Sequence, residues 1–208
     1  VVAAPQVVAA TTPTVVAGRA VPTRLEHLAN QEFSFLASDS LGNIYGVVGC
    51  WGCGDPMVRI YKSTPSGSLS AYVGSGPVGF AGDGGQALIA QVSSPSMLTF
   101  DSHDNLYFVD GNRIRAVTSS GLITTVVGNG DGGTGEDGLA TAVALGSVAG
   151  LAVASTGDIY YSEYVGISGV SRLRWVSSTT GLVTTIASSL PFGSFSGCSA
   201  LSPTLDAA

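Results

Sequence analysis

The chain has 208 residues, of which 45% are hydrophobic and only 11% charged, with a formal net charge of −6. A chain this apolar buries a core and is not a disordered polymer, and its eight basic residues are too few and too scattered to grip a phosphate backbone. No apolar run reaches the ~18 residues that a membrane helix requires, and 29 glycines with so few charges point to strands and tight turns rather than helices.

Self-similarity organises the chain. Residues 1–18 close on TVVAG, and the same closing strand returns as AYVG at Gly74, TTVVG at Gly128 and TTIAS at Ser188, at spacings of 56, 54 and 60 residues. A period of this size marks stacked repeats. Three copies are expected at 19–74, 75–128 and 129–188 within one domain spanning 1–208, with 1–18 and 189–208 belonging to incomplete flanking copies.

The first copy carries LGNIYGVV around Asn43, then the insertion GCWGCGD, then VRIY at 58–61 and a turn at Gly67. Cys50 and Cys53 in that insertion have the spacing of a redox pair, half a zinc site or a small disulfide loop. The single C-x-x-C, the distant Cys198 and only two histidines fall short of a zinc site, so a local disulfide is preferred. Trp51 between the two cysteines is a candidate exposed contact residue.

The second copy reads as four strands at 97–101, 105–110, 113–118 and 122–127, separated by turn residues, which is a four-stranded antiparallel meander. Asp110 ends its second strand and Arg113 begins its third, so the two are expected to pair. In the third copy Glu163 and Arg172 hold corresponding places and are expected to pair likewise. Trp175 alternates with Leu173 on one face of its strand, opposite Arg172 and Arg174, and reads as core packing.

Between the second and third copies lies GNGDGGTGEDG, 128–138, which satisfies the dinucleotide pattern G-x-G-x-x-G and one calcium nonapeptide. A dinucleotide site needs its last glycine to open a helix, and more loop follows here. Asp131, Glu136 and Asp137 are the candidate calcium ligands, on a backbone supple enough to gather carboxylates and carbonyls. The nonapeptide occurs once rather than in tandem, so the preferred reading is a connector in which glycine adopts positive φ and aspartates cap nearby N–H groups.

The stretch GFAGDGGQALIAQVSSPSMLTFDSHDNLYFVDGNRIRAVTSSGLITTVVG, 79–128, resembles an NHL repeat. The resemblance is close in this copy, clear in the third and eroded in the first, and covers roughly 14–200. It implies an all-β fold, a β-propeller segment of four-stranded antiparallel blades, about three complete with partial ones beside them. NHL proteins mostly serve as binding or scaffolding modules, and a minority are lyases or hydrolases.

On this reading the chain is a segment of a longer polypeptide, since open blade faces need covering. The expected function is a non-catalytic structural or protein-interaction module of a larger extracellular or cell-surface protein or filamentous assembly. It would have no cofactor unless calcium binds. Its partners would be other domains of the same polypeptide or other protein subunits, with no nucleic acid and no membrane span. The alternative is a propeller lyase or hydrolase whose metal-dependent site is completed by blades outside this segment.

Overall fold

A computed structural model describes residues 32–49, 59–74, 78–133, 135–165 and 170–188. The first sheet holds β1 (Glu32–Ser38), β2 (Ile44–Gly49), β3 (Arg59–Ser63) and β4 (Leu69–Val73); the second holds β5 (Pro95–Phe100), β6 (Leu106–Asp110), β7 (Ile114–Val117) and β8 (Ile123–Val127). After the short strand β9 (Gly138–Leu139) comes the third, β10 (Ser147–Val153), β11 (Ile159–Val165), β12 (Val170–Val176) and β13 (Leu182–Ser188). Each is an antiparallel meander in chain order, and β9 adds a short rung beside β13. Apart from two single 3-10 turns, Ala87–Ile89 and Ala140–Ala142, the described elements are strands. No helix among the described residues is long and apolar enough to cross a membrane.

The turns explain why the meander repeats. Asp39 Oδ1 accepts the amide of Asn43 at 2.9 Å while Oδ2 accepts Asn43 Nδ2 and the Tyr45 hydroxyl. Asp101 holds Asn105 and Tyr107 in the same way. Such side-chain acceptors close a turn locally, before any sheet exists. The turn between third and fourth strands closes on a glycine with positive φ, at Gly67, Gly121 and Gly181, where a side chain would be strained. Phe35 and Met97, both at φ 51, mark the same bulge in β1 and β5. β5 starts two residues before, and ends one before, the expected 97–101, with the bulge inside it.

The sheets pack in chain order through their first strands, with β5 lying beside both β1 and β10. Between the first two sheets lies a core of Tyr45, Val47, Ile60, Leu106, Phe108 and Ile123; between the second and third lies another, built on Val109, Ile114, Val127, Ile159, Tyr161 and Val183. The middle sheet is therefore apolar on both faces, and each fully buried large side chain contributes roughly 1.5–3 kcal/mol. Ser40 stitches adjacent turns by donating its N–H and hydroxyl to Asp104 at 2.8 and 2.6 Å. The molecule is thus a segment of a β-propeller, with three sheets as blades 1 to 3.

Candidate functional site

The chemistry-bearing side chains gather where each crossing loop meets the blade it leads into. In blade 2, Asp110 lies at the end of β6 and Arg115 in β7, both fully buried. Asp110 Oδ1 accepts the amides of Ser93 and Ser94 at 2.8 and 2.9 Å, tying the loop to the start of β5. Arg115 reaches Asp110 Oδ2 at 3.3 Å, Asp83 Oδ1 at 2.7 Å and the Gln91 carbonyl at 2.7 Å. Asp83 Oδ2 accepts the amide of Thr125, next to the register break between β7 and β8. One guanidinium thereby joins a strand end, an outer strand and a loop.

Blade 3 rebuilds the same node. Glu163 Oε2 accepts the Gly146 amide at 2.7 Å, while Oε1 meets Arg172 at 2.8 Å and Arg174 at 3.4 Å. Arg172 and Arg174 both donate to the Gly135 carbonyl, and Asp137 accepts from Thr185 while lying 3.4 Å from Arg174. The loop backbone repeats too. The amides of Gly74 and Gly128, which end the outer strands, donate to the carbonyls of Ala87 and Ala140. Blade 1 departs from this plan: strand register places Val48 at the position of Asp110 and Tyr61 at that of Arg115.

Burial pushes Asp110 above the ordinary carboxylate value, against the pull of the Ser94 and Ser93 amides and Arg115. Burial also opposes the charge on Asp39, Asp83 and Asp101, yet each is held below its ordinary value. Hydrogen bonds from Asn43, from Thr125 and Arg115, and from Asn105 respectively outweigh burial there. Tyr107, buried and beside Asp101, is pushed up to about 12.

Several expected residues fall differently from their sequence reading. Asp110 pairs with Arg115 rather than Arg113, whose guanidinium donates to the Asn129 carbonyl and lies 4.6 Å from the centre of the Phe80 ring. Arg113 and Arg115 alternate on one strand face, and the carbonyl and carboxylate of the crossing loop converge on the second of them. Glu163, one methylene longer than Asp110, reaches both Arg172 and Arg174. Leu173 is not core: it is 40% exposed while Arg174 is fully buried, because the arginine face of β12 is the one turned towards blade 2.

Asp131, Glu136 and Asp137 are not brought together. Asp131 pairs with Asn129, Asp137 turns to Thr185 and Arg174, and the Glu136 side chain is exposed. Among the described residues no group of three His, Cys, Asp or Glu side chains is placed to hold a metal ion. No helix opens at Gly133, so the dinucleotide pattern has no phosphate-binding context here. Cys50, Trp51, Cys53 and Cys198 lie outside the described residues.

Among the described residues, the outer faces of the first and third sheets carry part-exposed apolar side chains. Ile60 and Ile114, at one position of β3 and β7, are fully buried against the next blade, whereas Leu173 at that position in β12 is 40% exposed. Tyr164 and Ile186 on blade 3 are about half exposed. At the opposite end Ile44 is 40% exposed, although Leu106 at the same position of β6 is wholly buried. At each end of the described sheets an apolar side chain is thus part exposed where its counterpart in the middle blade is buried.

The turn, the bulge, the meander and the loop node together define a class of fold, a β-propeller segment built from four-stranded antiparallel blades, within which 79–128 resembles an NHL repeat. Residues 78–134 match the family model described as the teneurin NHL domain. Teneurin-1 of Gallus gallus is 48% identical over 48 residues, which is 23% of this chain and 2% of that protein. Teneurin-m of Drosophila melanogaster is 36% identical over 73 residues, 32% of this chain and 3% of that protein. The chain thus spans a small fraction of the length of these relatives. Among solved structures, virginiamycin B lyase from Staphylococcus aureus overlays 74% of this chain and 40% of its own, at 17% identity and a TM-score of 0.42.

Proposed function

We propose that the chain is a non-catalytic structural and protein-interaction module of a larger extracellular or cell-surface protein or filamentous assembly. Its partners are further domains of the same polypeptide or other protein subunits, docked by continuing the blade stack. The observation that carries this reading is Leu173, 40% exposed at a position whose counterparts Ile60 and Ile114 are fully buried by a following blade. A face so built gains free energy only when another apolar face covers it. The match of 78–134 to a teneurin domain supports the extracellular part of the reading.

Sedimentation equilibrium of the chain and of a Leu173→Ser, Ile186→Ser variant tests it. The chain should self-associate, or bind a dye specific for apolar surface, and the variant should lose most of either signal. A chain that stays monomeric and dye-free, or a variant that behaves like its parent, would refute the docking role.

A further inference from the structure

The crossing loop into blade 3 holds the sequence's single Asn-Gly pair, Asn129 and Gly130. An asparagine side chain can be attacked at Cγ by the main-chain nitrogen of the next residue, and glycine leaves that nitrogen unscreened. Here the fold dictates the glycine, since Gly130 has φ 98 and a Cβ on it would overlap the Arg113 guanidinium. In the preceding loop the corresponding sequence is Gly74, Ser75, Gly76. The glycines recur between the two loops, whereas asparagine stands only in the second.

The contacts around the pair prepare it for ring closure. Asn129 Oδ1 accepts the Asp131 amide at 2.8 Å, a turn that folds the side chain back along its own main chain and sets a donor on the oxygen where charge develops under attack. Arg113 donates to the Asn129 carbonyl at 3.1 Å. That bond and the positive charge draw electron density from the peptide unit whose nitrogen belongs to Gly130, which makes the attacking N–H more acidic. Among the described residues no acceptor is placed for the Gly130 amide, so its attack breaks no hydrogen bond there. Asn129 is exposed, so water reaches it.

We propose that Asn129 and Gly130 form a self-modifying site whose products loosen the junction between blades 2 and 3. Gly130 N bonds to Asn129 Cγ and gives up its proton to water; the Cγ–Nδ2 bond breaks, Nδ2 takes a proton from water, and ammonia leaves a succinimide ring. Water then opens the ring. Opening at Cγ gives aspartate, and opening at the main-chain carbonyl gives isoaspartate, in which the chain runs through the former side chain with an added methylene. Asn129 N–H donates to the Val143 carbonyl at 2.9 Å, the Asp131 carbonyl accepts Leu145 N–H at 3.2 Å, and Gly133 N–H donates to the Leu145 carbonyl at 3.1 Å. Leu145 is wholly buried in the core between the two blades. An added methylene shifts 130–133 against 143–145. A carboxylate at 129 faces Asp131 Oδ2, which now accepts from Nδ2 at 3.1 Å, and like charges repel.

Ageing the full chain in warm neutral buffer tests this, followed by peptide mass spectrometry and by enzymatic methylation of isoaspartate, with the free peptide GNGDGG as reference. Conversion should be confined to residue 129, run at no less than about a third of the peptide's rate, and vanish in Asn129→Ser, which copies Ser75. Arg113→Met should slow it at least about threefold while the sheet signal in circular dichroism persists. In the converted chain the Leu145 amide should exchange with solvent at least about tenfold faster than in the fresh chain. A slower native rate than that third, or conversion at Asn43, Asn105 or Asn112 instead, overturns the proposal. Unchanged Leu145 exchange overturns the effect on the junction, and an unchanged rate in Arg113→Met overturns the part given to the guanidinium.

Discussion

Arg115 is the residue whose removal should disturb blade 2 most. It is fully buried, and so is Asp110, whose Oδ2 lies 3.3 Å from the guanidinium. Replacing Arg115 with Met leaves that carboxylate held only by the Ser93 and Ser94 amides, whereas Asp83, 42% exposed, is free to hydrate. Stranding a buried charge in this way costs about 3–5 kcal/mol. With a urea slope of roughly 2 kcal/mol per molar, the unfolding midpoint should fall by about 2 M. Blade 1 shows the remedy, since Val48 and Tyr61 occupy the corresponding positions without charge. The double variant Asp110→Val, Arg115→Tyr should therefore unfold at a clearly higher urea concentration than Arg115→Met alone. A single variant that loses less than about 0.5 M, or a double variant no better than the single, would refute the stranded-charge reasoning.

Gly128 and Gly84 both have positive φ, but a Cβ at Gly128 would lie 2.5 Å from the Asn112 carbonyl oxygen while one at Gly84 would meet nothing within 4 Å. Gly128→Ala should cost roughly 3 kcal/mol and Gly84→Ala about 1 kcal/mol, an order that thermal midpoints in one buffer would show. Asp101 is held below its ordinary value of 3.8, so its contribution is complete above that pH and is lost as pH falls through the lower folded value. Asp101→Asn should lower the urea midpoint near neutral pH by the equivalent of about 1–2 kcal/mol and make the further drop at about pH 3 smaller than in the parent. Burial and the neighbouring Asp101 charge push the Tyr107 hydroxyl up to about 12, so an ultraviolet titration should show it ionising late, and earlier in Asp101→Asn.

Local signals made the blades legible. The Asn or Asp and Tyr pair at Asn43 and Tyr45, Asn105 and Tyr107, and Asp158 and Tyr160 recurs because a turn and its flanking strand solve one local problem three times. The expected second-copy strands at 105–110, 113–118 and 122–127 overlap the observed Leu106–Asp110, Ile114–Val117 and Ile123–Val127. The loop node was not legible, because Gln91 and Asp83, 24 and 32 residues from Arg115, decide which arginine serves Asp110. Nor does alternation alone say which face of a terminal blade is covered. That is why the face shared by Trp175 and Leu173 reads as core, yet Trp175 is only half-buried and Leu173 is exposed at an end.

The stacking of blades in chain order can be tested by nuclear Overhauser contacts from the Tyr45 ring. Tyr45 lies in blade 1, with its ring 4.9 Å from Tyr72 of the same blade and 4.7 Å from Phe100 of blade 2. Stacked blades predict cross-peaks from Tyr45 to both rings, with those to Phe100 at least as strong. Cross-peaks to Tyr72 alone, in a folded chain, would contradict the arrangement.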